Sequence, residues 1–180
     1  MDKYIRTPLT TEQVETLSAG DMVYITGTVY SARDAAHLRI YEAMMAGKDI
    51  PISLKGSILY YLGPTPERDG QVIGSAGPTT SSRMDKYTPL LLDNGLKGMI
   101  GKGKRSKEVT DSMKKNKAVY FAAVGGAGAL LSKKIKASKV IAYDDLGTEA
   151  IRELYFEDFP VIVAIDSKGR DLYEIVRISS

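Results

Sequence analysis

A run of seven apolar residues at positions 118–124, Ala-Val-Tyr-Phe-Ala-Ala-Val, limits the possible folds more than any other part of this chain. Its β-branched and aromatic residues favour a strand. Because the run does not alternate with polar residues, it predicts a strand that is covered on both faces, as in sheets that pack against helices. The sequence therefore predicts an α/β fold.

The remaining segments alternate between strand and helix patterns, although imperfectly, which favours a mixed sheet. Further strands are predicted at residues 22–30, 56–64, 72–76, 97–104, 140–143, 153–156 and 161–165. A hairpin-like turn at 166–170 is expected to lead into a last strand at 172–176. A short helix is predicted after a cap at Thr10 or Thr11, and further helices are predicted at 35–45 with Asp34 as the N-cap and Gly47 as the stop, at 88–95 and at 106–115.

Length and composition point to one domain over residues 1–180, with an ordinary content of apolar and charged residues. The net charge of +3 is too small for a nucleic-acid-binding surface, although residues 97–107 and 133–136 are locally basic. No apolar run approaches the ~20 residues that span a bilayer, and the N-terminus lacks a signal-peptide pattern. We therefore expect a cytoplasmic protein that binds neither nucleic acid nor membranes.

The chain contains no cysteine and a single histidine, His37. It can therefore form no disulfide, and it offers no thiolate for zinc or for an iron–sulfur cluster. A metal site with two histidines is also excluded within this chain. We predict no metal site formed by this sequence alone.

Residues 77–85 form a hydroxyl-rich segment, Gly-Pro-Thr-Thr-Ser-Ser-Arg-Met-Asp. The Gly-Pro pair predicts a sharp turn, and the hydroxyl groups that begin at Thr79 can both donate and accept hydrogen bonds. Arg83 adds a planar cation that can hold a carboxylate through two parallel bonds. The segment therefore suits a small anion, although an ordinary turn followed by a helix cap would have the same composition.

Two other cations also follow predicted strands, namely Arg33 and Lys102, and Lys102 lies between two glycines. Loops at strand ends commonly carry the site of an α/β fold, so Arg33, Thr79 and Lys102 are expected to meet at one rim. His37 lies within reach of Asp34 on the predicted helix. Because no nucleophile is near it in sequence, we favour a supporting role over a catalytic one, with a simple surface histidine as the alternative.

The glycine-rich residues 125–128 follow the apolar strand, as a nucleotide-binding loop would. They match neither the G-x-G-x-x-G pattern in its usual register nor a P-loop, and no suitable acidic residue ends a following strand at the expected distance. We therefore reject nucleotide binding as the leading interpretation.

Several motifs together resemble the iron–sulfur hydro-lyases, specifically the β subunit or C-terminal domain of class I fumarate hydratase and L-tartrate dehydratase. The matching segments are residues 32–37 (ARDAAH), 77–85 (GPTTSSRMD), 98–103 (GMIGKG), 147–150 (GTEA) and 157–160 (EDFP). They occur in the order typical of the family and span nearly the whole chain. The resemblance implies a swivelling β/β/α domain that closes over a 4Fe–4S cluster held by three cysteines of an α subunit.

The resemblance also implies roles for single residues. Thr79 resembles the catalytic base that removes a proton next to a substrate carboxylate, assisted by a carboxylate of the α subunit. Arg33, Arg83 and Lys102 resemble residues that contact a C4 dicarboxylate substrate. The cluster would act as a Lewis acid on the substrate hydroxyl, and this chain would be inactive without its partner in a hetero-oligomer.

Two positions depart from the family pattern. Ala32 stands where glycine is usual, and Lys104 replaces a common asparagine, so Lys104 competes with Lys102 as the lysine that contacts substrate. The leading hypothesis is a fumarate hydratase β subunit that interconverts fumarate and malate. The alternatives are an L-tartrate dehydratase β subunit and a non-enzymatic module that binds small anions or nucleic acid through residues 97–107.

Overall fold

The computed structural model describes residues 2–124 and 128–179, and it confirms a mixed α/β architecture. In this part of the chain, seven strands form one sheet: β1 (Asp2–Arg6), β2 (Met22–Ser31), β3 (Ile58–Tyr60), β4 (Gly98–Gly101), β5 (Val119–Ala123), β6 (Ile135–Ala142) and β7 (Ile151–Ile165). The order is β1-β2-β3-β4-β5-β7-β6, and an additional pairing of β2 with β7 closes five of the strands into a barrel. β1 to β5 pair in parallel, whereas β7 is antiparallel to β2, β5 and β6.

The described part of the chain contains six helices, of which the first four connect the parallel strands. They are α1 (Thr11–Glu15), α2 (Asp34–Met45), α3 (Thr88–Asp93), α4 (Lys107–Asn116), α5 (Gly128–Leu131) and α6 (Leu172–Ser179). Short 3₁₀ turns lie at Ser81–Met84, Ser132–Lys134 and Asp144–Glu149. Thr10 begins α1 with a capping box, and the side chain of Ser106 accepts a hydrogen bond from the backbone of α4, so both helix starts follow from the sequence.

The apolar run at 118–124 forms β5, and both of its faces are buried as predicted. Phe121 points into the barrel with Tyr60 of β3. Its neighbour Tyr120 points outward, into a second core beneath the helices, together with Tyr61. Successive strand residues face opposite sides, so the two cores account for the absence of polar alternation in this run.

The strand predicted at 72–76 does not form. Its backbone groups bond elsewhere: the Ser75 amide donates to Thr65 Oγ1, and the Ala76 amide donates to the Gly128 carbonyl. A Cβ atom on Gly74 would lie 1.9 Å from the Thr65 carbonyl oxygen, which shows how tightly the loop is folded on itself. Ile73 and Ala76 still reach the barrel core, so the apolar pattern reflects a buried loop.

The predicted strands at 153–156 and 161–165 are one long strand, β7. The pairing register with β2 shifts between Ile25 and Gly27, and Asp158 has a positive φ of 48° at this irregularity. At this bulge the Asp158 amide donates to Thr26 Oγ1. The threonine side chain thus replaces the backbone carbonyl that would accept from this amide in a regular ladder. Pro160 follows the bulge without ending the strand. The prediction for β6 was also too short, because that strand begins at Ile135.

The strand predicted at 172–176 is wrong, because this segment is the helix α6. Asp171 Oδ1 accepts a hydrogen bond from the Tyr173 amide and starts the helix. The prediction of Asp34 as an N-cap is also wrong: Asp34 is the first residue of α2, and Arg33 occupies the cap position without a side-chain bond. The side chain of Asp34 is therefore left for other contacts.

Candidate functional site

Three parallel strands, β2, β3 and β4, end at the same rim of the barrel, and each is followed by part of the candidate site. Arg33 lies between β2 and α2. The loop that leaves β3 returns at Thr79, whose amide donates to the Tyr61 carbonyl over 2.8 Å. Lys102 follows β4 and forms a parallel bridge with Thr80, next to Thr79. The rim therefore holds the three segments that the sequence predicts to converge.

Arg83 lies in the 3₁₀ turn Ser81–Met84, and its guanidinium connects two other residues of the rim. Nε lies 2.9 Å from Asp34 Oδ2, and Nη2 donates to Asp34 Oδ1 over 3.2 Å. Nη2 also donates to Thr79 Oγ1 over 3.4 Å. The hydroxyl of Thr79 is therefore held beside a cation. The side chain of Arg83 that carries this cation is about half exposed.

The side chain of Arg33 lies across Gly63. A Cβ atom at position 63 would lie 2.8 Å from Arg33 Cδ and 2.9 Å from Nη1, so only glycine leaves room for this arrangement. Arg33 Nε lies 3.9 Å from Asp34 Oδ1, too far for a hydrogen bond, and Nε is buried without a partner among the described residues. Arg33 and Arg83 thus approach the same carboxylate from two sides.

The first turn of α2 has a distant capping partner. The Ala35 amide donates to Glu149 Oε1 over 3.1 Å, and Glu149 belongs to the 3₁₀ turn Asp144–Glu149. This contact brings the segment 147–150 against the helix start that carries Arg33. The negative charge of Glu149 also suits a helix N-terminus.

Lys102 lines a cavity of about 480 Å³ that opens beside the rim. Gly63, which supports Arg33, lines the same cavity, as does Pro78, the residue before Thr79. The hydroxyl-bearing residues Thr65 and Ser75 also contribute to the wall. Of the four predicted residues, Lys102 lines this cavity, and Gly63 and Pro78 connect its wall to Arg33 and Thr79. Lys102 and Lys104 are both exposed, but Lys104 is not among the residues that line the cavity.

A buried arginine that sequence reasoning missed, Arg105, lies directly beneath this site. Its side chain is fully buried, and Nε donates to Asp85 Oδ1 over 2.7 Å. Nη2 donates to Tyr61 Oη and to Thr88 Oγ1, both over 3.1 Å. Burial acts to lower the pKa of the Arg105 guanidinium, but Tyr61 and Asp85 outweigh it and raise that pKa above its ordinary value. Arg105 is therefore a charged, fully paired group inside the protein.

Contacts from Arg105 and its neighbour Tyr120 reach two loops of the rim. Its guanidinium lies over the ring of Tyr120 at 4.8 Å, and Tyr120 Oη donates to the Gly103 carbonyl over 2.8 Å. Ser81 Oγ lies 2.7 Å from the same phenol oxygen. Asp85, the partner of Arg105, follows the turn that carries Arg83. Arg105 lies in the locally basic stretch 97–107, and nothing in that stretch distinguishes it from its exposed neighbours, so only a three-dimensional structure reveals its burial.

His37 is fully buried, so the interpretation as a surface histidine is wrong. Nδ1 lies 2.9 Å from the Arg33 carbonyl oxygen, and the ring packs edge-on against Tyr61 with centroids 5.3 Å apart. Burial lowers the pKa of His37 from 6.5 to about 4, against the opposing effect of the bond to Arg33. A neutral His37 therefore donates from Nδ1 and supports the backbone of Arg33, which agrees with a supporting role.

The donor set of this chain does not fit an iron–sulfur cluster of its own. The sequence has no cysteine, and the described residues include no group of three or more histidine or acidic side chains placed to hold a metal ion. Along the same described ranges, no helix combines the length and the apolar character that crossing a bilayer would require. A rim of three cations around a threonine hydroxyl is instead typical of a domain that binds a small polyanion.

Comparison with known proteins agrees with this class of site. The sequence profile of the family described as Fumarase C-terminus matches residues 3–176. The chain is 41% identical over 152 residues to "Fumarate hydratase class I, anaerobic" of Escherichia coli (strain K12), which covers 83% of this chain and 28% of that protein. It is 40% identical over 164 residues to "Fumarate hydratase 2" of Leishmania major, which covers 90% of this chain and 29% of that protein.

A third relative has nearly the same length as this chain. It is the Methanocaldococcus jannaschii protein named "Putative L(+)-tartrate dehydratase subunit beta", 39% identical over 180 residues, with 97% of this chain and 92% of that protein covered. The fumarate hydratases named above are much longer, and the chain spans less than a third of their length. These matches show that the chain belongs to the Fumarase C-terminus family, whose matched relatives are named as hydro-lyases.

Proposed function

We propose that this chain is the β subunit of an iron–sulfur-dependent hydro-lyase that interconverts fumarate and malate by reversible hydration. The observation that carries the proposal is the contact of the Arg83 guanidinium with Thr79 Oγ1, at the ends of parallel strands that also present Arg33 and Lys102. The names of the relatives support a hydro-lyase, and the name of the M. jannaschii relative supports a β subunit. In this proposal residues 1–180 form a single hydro-lyase domain.

The three cations would hold the substrate. A C4 dicarboxylate carries two negative charges, and removal of a proton next to one carboxylate builds further charge on that group. Arg83 pairs with Asp34 through Nε and Nη2, so its Nη1 can donate to a substrate carboxylate, and Lys102 adds a point charge in the adjoining cavity. Fixed cations stabilise the charge that develops in the transition state, because they need no reorganisation at that moment.

Thr79 would move the proton. In the direction from malate to fumarate, Thr79 Oγ would take the proton from the carbon next to the held carboxylate while the hydroxyl group leaves the neighbouring carbon. In hydration, the same oxygen returns the proton. A threonine hydroxyl is a weak base, so it needs a carboxylate of the α subunit to receive its own proton. The cation at Arg83 favours negative charge on the Thr79 oxygen during this transfer.

The cluster would come from an α subunit with cysteine ligands, since this chain has no cysteine. When bound to that subunit, the cluster supplies a Lewis acid for the substrate hydroxyl. The present chain contributes the binding cations and the proton acceptor. Its domain would close over the cluster by a swivelling movement.

L-tartrate is the second candidate substrate, because the relative of similar length is named for tartrate dehydration. Both substrates are C4 dicarboxylates, so the same cations can hold either. The test is to express this chain with a candidate α subunit that supplies three cysteine ligands, to reconstitute the complex anaerobically, and to measure turnover of fumarate and of L-tartrate. We expect faster turnover of fumarate. A cluster-loaded complex that turns over neither compound would overturn the proposed function.

A further inference from the structure

We propose that Asp34 is a positioning residue for this reaction, which orients Arg83 and, through Arg83, the hydroxyl of Thr79. This inference rests on the proposed function. Asp34 lies at the first position of α2, where an acidic side chain usually caps its own helix. The helix start instead receives the carboxylate of Glu149, which accepts from the Ala35 amide. Asp34 is thereby left to pair with Arg83.

The hydrogen-bond geometry of Arg83 explains why this pairing orients the site. A guanidinium has five N–H groups in a fixed plane. Nε and one N–H of Nη2 face the two oxygens of Asp34, and the other N–H of Nη2 faces Thr79 Oγ1. The two N–H groups of Nη1 have no hydrogen bond recorded among the described residues, and the side chain is about half exposed. Asp34 therefore fixes one edge of the guanidinium and leaves Nη1 for a substrate carboxylate.

The position of Thr79 depends on the same nitrogen. Because Nη2 bonds to Asp34 and to Thr79 at once, rotation of the guanidinium away from Asp34 also moves the donor away from the Thr79 hydroxyl. Loss of Asp34 should therefore lower kcat as well as raise KM. Loss of a cation that only binds substrate would change mainly KM.

The test uses the reconstituted complex and the substitution Asp34→Asn, which keeps the size of the side chain and removes its charge. We expect kcat/KM for fumarate to fall by roughly 30-fold, with a decrease in kcat as part of this loss, because small misplacements of reacting groups are costly. The matched control is Asp145→Asn. Asp145 also pairs with an arginine of α2, Arg39, but on an exposed surface outside the rim. The control should change kcat/KM by less than about twofold.

Introducing Asp34→Asn into a variant of Arg83 distinguishes a positioning role of Asp34 from a general structural effect. Arg83→Lys keeps the positive charge and removes the planar grip. If Asp34 acts through Arg83, then Asp34→Asn should cost less than about threefold in the Arg83→Lys background, because interacting residues are not additive. Losses of equal size in both backgrounds, from a complex that hydrates fumarate, would overturn this inference and leave the proposed function standing. A cluster-loaded complex with no hydratase activity would overturn both.

The pairing can also be tested without activity. In ¹⁵N-resolved NMR spectra of this chain, the Nε–H signal of Arg83 should be protected from solvent exchange in the wild type and in Asp145→Asn. It should lose this protection in Asp34→Asn. If the Asp34 variant fails to fold, Asp34→Glu, which retains the carboxylate one methylene further out, should show partial protection. An Arg83 Nε–H signal in the wild type that exchanges as fast as a free guanidinium would contradict the proposed pairing.

Discussion

Two arginine–aspartate pairs of this protein have similar geometry and opposite surroundings. Arg105 Nε lies 2.7 Å from Asp85, and Arg83 Nε lies 2.9 Å from Asp34. The side chain of Arg105 is fully buried and bonds to Tyr61 and Thr88 as well, whereas that of Arg83 is 49% exposed. The first pair uses its cation to hold the protein together, and the second keeps N–H groups available to a ligand. Burial, more than charge, separates structural arginines from candidate functional ones.

The largest expected difference between the two pairs is in stability, and the same substitution at both arginines measures it. Arg105→Met should lower the free energy of unfolding by about 3–5 kcal/mol, because it leaves Asp85 without its cation and removes a donor from the two buried hydroxyls of Tyr61 and Thr88. Arg83→Met should lower it by less than about 1 kcal/mol, since exposed pairs contribute little. Urea denaturation of the two variants measures both values. Similar losses at the two positions would show that burial does not divide them in this way.

The pH dependence of stability tests the effect of burial on a second buried group, His37. Because burial lowers the pKa of His37 to about 4, the unfolded chain binds a proton near pH 6.5 while the folded chain does not. The contribution of His37 to stability is therefore complete above pH 6.5 and is lost as the pH falls towards 4, by about 3 kcal/mol in total.

The measurement for His37 is urea denaturation of the wild type and of His37→Asn at pH 7 and at pH 4.5. Asparagine does not titrate, and its amide can still donate to the Arg33 carbonyl. We expect the variant to lose less stability than the wild type over this interval. Equal losses in the two proteins would mean that His37 becomes protonated in the folded state at an ordinary pH.

Substitutions of two exposed, neighbouring lysines test which of them contacts the substrate. Lys102 lines the cavity of the rim, and Lys104 does not. In the reconstituted complex, Lys102→Met should raise KM for fumarate by about tenfold, which corresponds to about 1.4 kcal/mol. Lys104→Met should leave KM nearly unchanged. The reverse result would assign the substrate contact to Lys104.

Local patterns in the sequence predict much of this fold. The apolar run at 118–124, the capping residues Thr10 and Ser106, and the glycine-flanked Lys102 each indicate what the structure contains at those positions. The convergence of Arg33, Thr79 and Lys102 also follows from sequence, because the ends of parallel strands meet at one rim.

The errors arise where distant contacts decide the structure. β7 continues past Pro160, and Thr26 of β2 accepts from the Asp158 amide at the bulge. The helix at 172–176 is an exception, because its cap Asp171 is adjacent in sequence and the strand prediction overlooked it. The sequence gives no sign that Arg105 is buried, since its partner Asp85 is 20 residues away and its aromatic neighbours come from other strands. The pairing of Asp34 with Arg83 is likewise a contact across 49 residues.

The most direct test of the account is the rate of fumarate hydration by the reconstituted complex that carries Thr79→Ala, with its iron content and subunit assembly measured alongside. If Thr79 is the proton acceptor, kcat should fall by roughly 10²- to 10⁴-fold while the complex still assembles with a full cluster. An unchanged kcat in that fully assembled variant would contradict the assignment of Thr79 and the site built around it.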